Sequence, residues 1–344
     1  MRKICVWLLC IVLAMGSFTA CSSQPSTEQS GEEEKAEAKV FKIGHIRPAD
    51  AVADVDVKAF AKDLEERSNS SLKLEIYPAS QLGDYTVVQE RVSIGDIEMQ
   101  LAPLGTNLDK RFGISNAPYL VENWEQAKRL YSSEGKLVQA MGELLDKNDI
   151  KLLATYPLYF GGICLVKEPV DPGNPDVAED IKIRVPPMKS FEKTAEALGF
   201  IATPLPWADT FTSMQTGIVE GAIGGGAEAY YSSMRDLIKY YLPVNDHFEM
   251  WYLYINKGVW EKLTPEEQNA LQEAAKFMEE KRFEKAEAME KEYENKLKEL
   301  GIEVLEFSDE ELSQFAKKAR ETVWPVIKSD FGEELFDSIT SEIK

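Results

Sequence analysis

The sequence predicts an α/β protein built from two domains. Three observations carry this. The chain has 344 residues, more than one small core usually organises. Short runs of strand character alternate with segments of helical period, an order that favours a parallel or mixed sheet with helices on its faces. From 266 to 300 there is neither Gly nor Pro, which reads as one long surface helix lying across both domains.

Each element has its own local reason. Val40–Gly44 is a short apolar run and the first strand. Residues 53–68 carry Val57, Phe60, Ala61 and Leu64 at helical spacing. Leu72, Leu74 and Ile76 alternate with polar neighbours, the period of a strand. Val88 and Val92 fit a helix stopped near Gly95, and Ile97–Leu101 gives the next strand. Ile150–Ala154, Gly161–Lys167 and Ile181–Val185 read as further strands, the last ended by Pro186 and Pro187. Helices over 188–198 and 208–216 follow, then a strand over Ile218–Ile223. Thr264-Pro265-Glu266-Glu267 is a capping box with Pro at the first helical position. The helix it opens should run roughly 50 Å at 1.5 Å per residue. Its a/d pattern is not sustained, which argues against a coiled coil. Ile302–Phe307 reads as a returning strand, and Ser308–Glu311 as a second capping box.

The first residues read as an address. Arg2 and Lys3 precede an apolar run, Ile4–Ala14, and small residues lead to Cys21. This is the layout of a signal peptide over 1–20. The run is shorter than the ~20 residues of a spanning helix, so an uncleaved membrane anchor is the weaker alternative. Cys21 directly after Thr19 and Ala20 resembles a bacterial lipobox, although Phe18 is an unusual first residue for it. Acylation there would anchor the protein to a membrane. Residues 21–39 then form a hydrated tether. With Cys5 and Cys10 lost with the signal and Cys21 lipidated, Cys164 stands alone and no intrachain disulfide forms.

Composition narrows the function. With 39 basic and 59 acidic residues the formal charge is −20, which argues against nucleic acid, since phosphate binding needs a basic face. Attachment to anionic lipid by charge is disfavoured for the same reason. Signals of catalysis are scarce. His45 and His247 are the two histidines, no G-x-S-x-G elbow is present, and neither zinc spacing nor an EF-hand loop appears. Cys164 sits in an apolar run and reads as a buried thiol. Gly224-Gly225-Gly226 lacks the Lys-Ser/Thr of a phosphate loop and reads as backbone that must approach something closely. Arg184 lies at the carboxyl end of a strand, where open α/β sheets bind ligands. Its guanidinium suits a carboxylate, but from the residues alone a solvated surface role is favoured, because surface arginines are common.

Several segments together resemble the solute-binding proteins of TRAP transporters, the DctP family. They are Tyr77–Gly83 (YPASQLG), Ile181–Pro187 (IKIRVPP), Ala197–Gly199 (ALG), Thr203–Trp207 (TPLPW), Met214–Gly221 (MQTGIVEG), Ile255–Trp260 (INKGVW) and Leu263–Gln268 (LTPEEQ). The match covers about 41 to 340, in the family's order.

The resemblance implies a periplasmic-binding-protein-like (type II) fold: two α/β domains, hinge strands and a long helix spanning both. Domain I would hold 40–160 and about 250–285, domain II 161–249 and about 286–344. It implies an extracytoplasmic receptor that binds a small organic acid in the interdomain cleft and delivers it to a TRAP membrane permease. No catalytic residue, cofactor or metal is implied. A signalling partner in place of the permease, or a cleft enzyme, are the alternatives. Arg184 matches the family arginine that pairs with the substrate carboxylate. Gly224 occupies the place of a family Asn, and Gly162 that of a second Arg in sialic-acid-binding members. Gly224 and Gly225 would give a ligand room or backbone N–H groups. Trp207, Tyr159 and Tyr231 are expected as walls. His45 and Arg47 are candidates to face a second anionic group.

Overall fold

A computed structural model describes residues 37–343. The signal segment, Cys21 and most of the tether lie outside the described residues. The first sheet begins with β1 (Lys39–Gly44), α1 (Val52–Arg67), β2 (Leu72–Tyr77), α2 (Tyr85–Ser93) and β3 (Met99–Ala102). A 3₁₀ segment over Lys110–Asn116, α3 (Trp124–Tyr131) and α4 (Lys136–Asp146) lead to β4 (Ile150–Phe160). The second sheet takes β5 (Gly162–Leu165), β6 (Lys182–Val185), α5 (Lys189–Ala197), β7 (Ile201–Pro204), α6 (Thr210–Gln215), β8 (Gly221–Gly225), α7 (Ala227–Ser233) and β9 (Tyr240–Leu242). The chain then returns through β10 (Phe248–Asn256), α8 (Lys257–Glu261) and α9 (Pro265–Glu299). It ends with β11 (Glu303–Val304), α10 (Asp309–Thr322), α11 (Trp324–Phe331) and α12 (Glu333–Thr340).

The strand orders are β2-β1-β3-β10-β4 and β11-β9-β5-β8-β6-β7. In the first, β1 runs parallel to β2 and β3, while β10 is antiparallel to β3 and β4. Each sheet with its helices forms a lobe, and among the connections that join them are Phe160–Gly162 and the stretch 243–247. Gly161 donates its N–H to the carbonyl of His247 at 2.8 Å, binding one connection to the other. A Cβ on Gly161 would stand 2.2 Å from the His247 ring, so the crossing needs glycine.

The two capping boxes form as expected: Thr264 with Glu267 opens α9, and Ser308 with Glu311 opens α10. The long helix packs on α1 and β4 of the first lobe and on α7 and β11 of the second. It also finishes an exposed sheet edge. β4 is an edge strand and tolerates Pro157 for that reason. Side chains of α9 satisfy its free backbone groups in sequence: Gln272 donates to Leu153 O (2.8 Å) and Glu279 accepts from Thr155 N (2.9 Å). Further along, Arg282 donates to Pro157 O (2.7 Å) and Glu290 accepts from Phe160 N (2.9 Å). An unpaired edge is thereby closed to other strands.

Some expectations needed correction. The strand expected at Ile218–Ile223 begins at Gly221, because the N–H groups of Ile218 and Val219 turn back to Ser213 O and Gly217 adopts φ +72°. The returning strand of 302–307 pairs only over Glu303–Val304. Where the sequence expects 286–344 to join the second lobe, the contacts divide that stretch. The end of α9 and β11 pack there, whereas α11 packs on the 3₁₀ segment of the first lobe and Arg129 bonds the Glu342 carbonyl.

Candidate functional site

The lobes face each other across a narrow cavity of about 20 Å³. The first lobe contributes Arg47, Tyr85 and Asn116; the second contributes Arg184, Trp207 and Gly224; Glu249 enters from β10. These positions span some 200 residues of sequence and meet because β1, β6 and β8 all end at the cleft.

Arg184 is 1% exposed. Its Nε donates to Leu205 O at 2.9 Å and its Nη1 to Ile223 O at 3.3 Å. No carboxylate of the described residues lies within ion-pairing distance of it. Burial lowers its pKa from the ordinary arginine value, yet a guanidinium stays charged. A buried cation without a counter-charge is costly unless an anion arrives.

Arg47 is buried too, but its charge is met. Its Nε donates to Glu228 Oε2 at 3.1 Å and its Nη2 to the Tyr159 hydroxyl at 2.5 Å. Trp207 lies between the two arginines, 5.1 Å from the Arg47 guanidinium and 5.4 Å from that of Arg184. The backbone N–H of Trp207 donates across the cleft to Asp84 Oδ2 at 3.1 Å, while the other oxygen of Asp84 caps α2.

Glu249 is 5% exposed and held by donors on both oxygens: Trp251 Nε1 at 2.6 Å and His247 Nε2 at 3.0 Å. His247 Nδ1 meets Asp246 at 2.7 Å. Burial lowers the His247 pKa, but the charges of Asp246 and Glu249 outweigh it and push it up to about 10. Both ring nitrogens face carboxylate oxygens, an arrangement that suits an imidazolium. Asn116 Oδ1 is buried with no partner among the described residues.

Among the expected residues, Arg184, Gly224 and Trp207 come together in the cavity. Gly224 has φ +89°, and a Cβ there would stand 2.5 Å from Pro186 and 3.5 Å from Arg184 Nη1. Tyr159 acts on the cavity through Arg47. The other three lie elsewhere. Gly225 faces the Tyr230 ring, 3.1 Å from a Cβ placed there. Tyr231 packs on Tyr293 of α9 at 5.4 Å, where α7 meets the long helix. His45 turns to Asp54, with Nε2 at 3.1 Å. Cys164 is buried, and burial raises its thiol pKa. Tyr85, Asn116 and Glu249 were missed. For Glu249 a signal existed: it is the one charge in FEMWYLYI, a run otherwise suited to a core strand.

Residues 43–330 match the family described as bacterial extracellular solute-binding protein, family 7, DctP. The C4-dicarboxylate-binding periplasmic protein DctP of Rhodobacter capsulatus is 23% identical over 243 residues, 70% of this chain and 71% of that protein. A TRAP periplasmic solute binding protein from Haemophilus influenzae with bound L-gulonate has TM-score 0.79 at 24% identity, covering 88% of this chain and 99% of that one. The sugar acid binding protein DctPAm from Advenella mimigardefordensis, in complex with galactonate, has TM-score 0.82 at 19% identity, covering 89% and 98%.

Proposed function

The chain belongs to family 7 of the bacterial extracellular solute-binding proteins, and from that premise we propose that it is the receptor of a TRAP-type transporter for a small organic acid. The observation that carries this reading is Arg184, a buried guanidinium aimed at the interlobe cavity with no acidic partner among the described residues. The ligand carboxylate takes the fork, Trp207 forms a wall, and Gly224 lets Pro186 pack close beside the guanidinium. Because the acid touches both lobes, it favours the closed state by its differential affinity. The loaded receptor delivers the acid to the membrane permease, and no chemical step is needed on the way. Lipidation of Cys21 would hold the receptor at the membrane.

A thermal-shift screen against organic acids tests this. A ligand at about a hundred times its Kd adds ~2.7 kcal/mol of stability. A shift with carboxylates that vanishes in Arg184→Ala supports the reading. A screen without any carboxylate shift, repeated after unfolding and refolding the protein, overturns it.

A further inference from the structure

The cavity holds an acidic group where a receptor for two-headed anions needs a basic one. Of its two arginines, Arg184 has no carboxylate partner, whereas Arg47 is committed to Glu228 and Tyr159. The remaining charged wall is Glu249. Its oxygens already accept from Trp251 and His247, which fixes the carboxylate in one orientation while leaving each oxygen a free lone pair. Asn116 Oδ1, buried and without a partner, adds a second acceptor on the same cavity. Acceptors call for donors. His247 bridges Asp246 and Glu249, one cation against two carboxylates, so the cluster keeps a net negative charge at the cavity wall.

We infer that Glu249 is the specificity-determining residue of the cavity: it selects a monocarboxylate bearing hydroxyl groups and rejects the dicarboxylate of the same carbon skeleton. The inference rests on the receptor reading above. The acid's carboxylate sits on Arg184, and its hydroxyls donate to Glu249 and Asn116. A second carboxylate would meet Glu249 in a water-poor site, where like charges repel strongly. A site that hydrogen-bonds a substrate hydroxyl also discriminates sharply against an analogue that leaves its acceptor unpaired.

The test is titration calorimetry on protein unfolded and refolded to remove carried ligand. The probes are two matched pairs: D-galactonate with galactarate, and D-erythronate with tartrate. The tartrate is the meso form, so each pair differs only in whether the far end is a hydroxymethyl or a carboxylate. The expected result is at least tenfold tighter binding of an aldonate than of its partner. Glu249→Gln should weaken the aldonate about tenfold and bring the ratio towards one. Equal or tighter binding of the dicarboxylate, or a Glu249→Gln variant with both affinities unchanged, overturns the inference. So does binding of none of the four acids. In that event a different carboxylate that binds in an Arg184-dependent way leaves the receptor reading standing, and binding of no carboxylate removes both. Should the Gln variant fail to fold, the wild-type ratio decides.

Discussion

Arg47, just past β1 of the first lobe, is ion-paired at 3.1 Å with Glu228 of α7 in the second. Both side chains are buried, at 2% and 4% exposure, so this is a tie between lobes and not a surface pair. Opening the cleft must break it. In Glu228→Gln the Arg47 charge is left without its counter-ion, and the lobes relieve this by opening to water. The unliganded radius of gyration should rise in small-angle scattering, and ligand affinity should fall about tenfold as the closed state loses population. The double variant Arg47→Met, Glu228→Leu should close again. An unchanged radius in the single variant would show that the pair does not hold the lobes.

Arg184 gives the opposite pattern between binding and stability. Among the described residues no carboxylate pairs directly with its buried charge, Asp84 and Glu249 acting on it only from a distance, so Arg184→Ala removes a burden from the unliganded fold. The melting temperature without ligand should stay level or rise. Affinity for the acid should fall at least a hundredfold, about 3 kcal/mol. Arg184→Lys should lose at least tenfold, because one ammonium does not reproduce the fork. Calorimetry and a thermal melt on the same samples check both halves.

Glu290 makes stability depend on pH. Burial raises its pKa, the bonds from Trp124 and Phe160 N–H lower it, and the balance is a pKa of about 7. Its unfolded value is near 4.5. The folded state therefore holds a proton that the unfolded state has released between these two values. The contribution is fully present below pH 4.5 and is lost as pH rises through 7. Glu290→Gln mimics the protonated form. Relative to the variant, wild type should lose roughly 3 kcal/mol between pH 4.5 and 8 in denaturant titrations. A constant difference across that range would mean that Glu290 does not titrate there.

Gly161→Ala should damage the hinge crossing. The new methyl meets the His247 ring at 2.2 Å, and both connections are held by the Gly161 bond to His247 O. Overpacking of this kind destabilises by about 1–3 kcal/mol. Chemical denaturation measures it. Binding in whatever fraction still folds should weaken as well, because the shifted His247 no longer positions Glu249.

Much of the fold was legible because its signals are local. The alternation at Leu72–Tyr77, the capping boxes at Thr264 and Ser308, and the helix free of Gly and Pro each depend on residues a few positions apart. β10 was not legible as a strand. All of its residues are buried, so it shows no alternation to mark a strand. β4 was seen only to Ala154, since its second half contains Pro157 and depends on α9 to satisfy its backbone.

The candidate site divides the same way. Arg184 stands in a recognisable strand-end motif, and Gly224 and Trp207 follow in linked segments, so these three were within reach of the sequence. Tyr231 and His45 are of suitable type but face other partners, Tyr293 and Asp54. Asn116 and Tyr85 were out of reach as site residues because no local pattern marks the direction of a side chain across a cleft; Glu249, a lone charge in an apolar run, carried a signal but not its direction.

Local sequence was enough for the α/β class, the long helix, the family resemblance and Arg184 as a candidate for a carboxylate. Tertiary structure alone decided that Arg47 is neutralised by Glu228 while Arg184 is not, and that an acid faces the cavity. The physical reason is that periodicity and caps act within a turn or two of chain. The charge state and shape of a cavity depend on which distant side chains arrive within hydrogen-bond reach of one another.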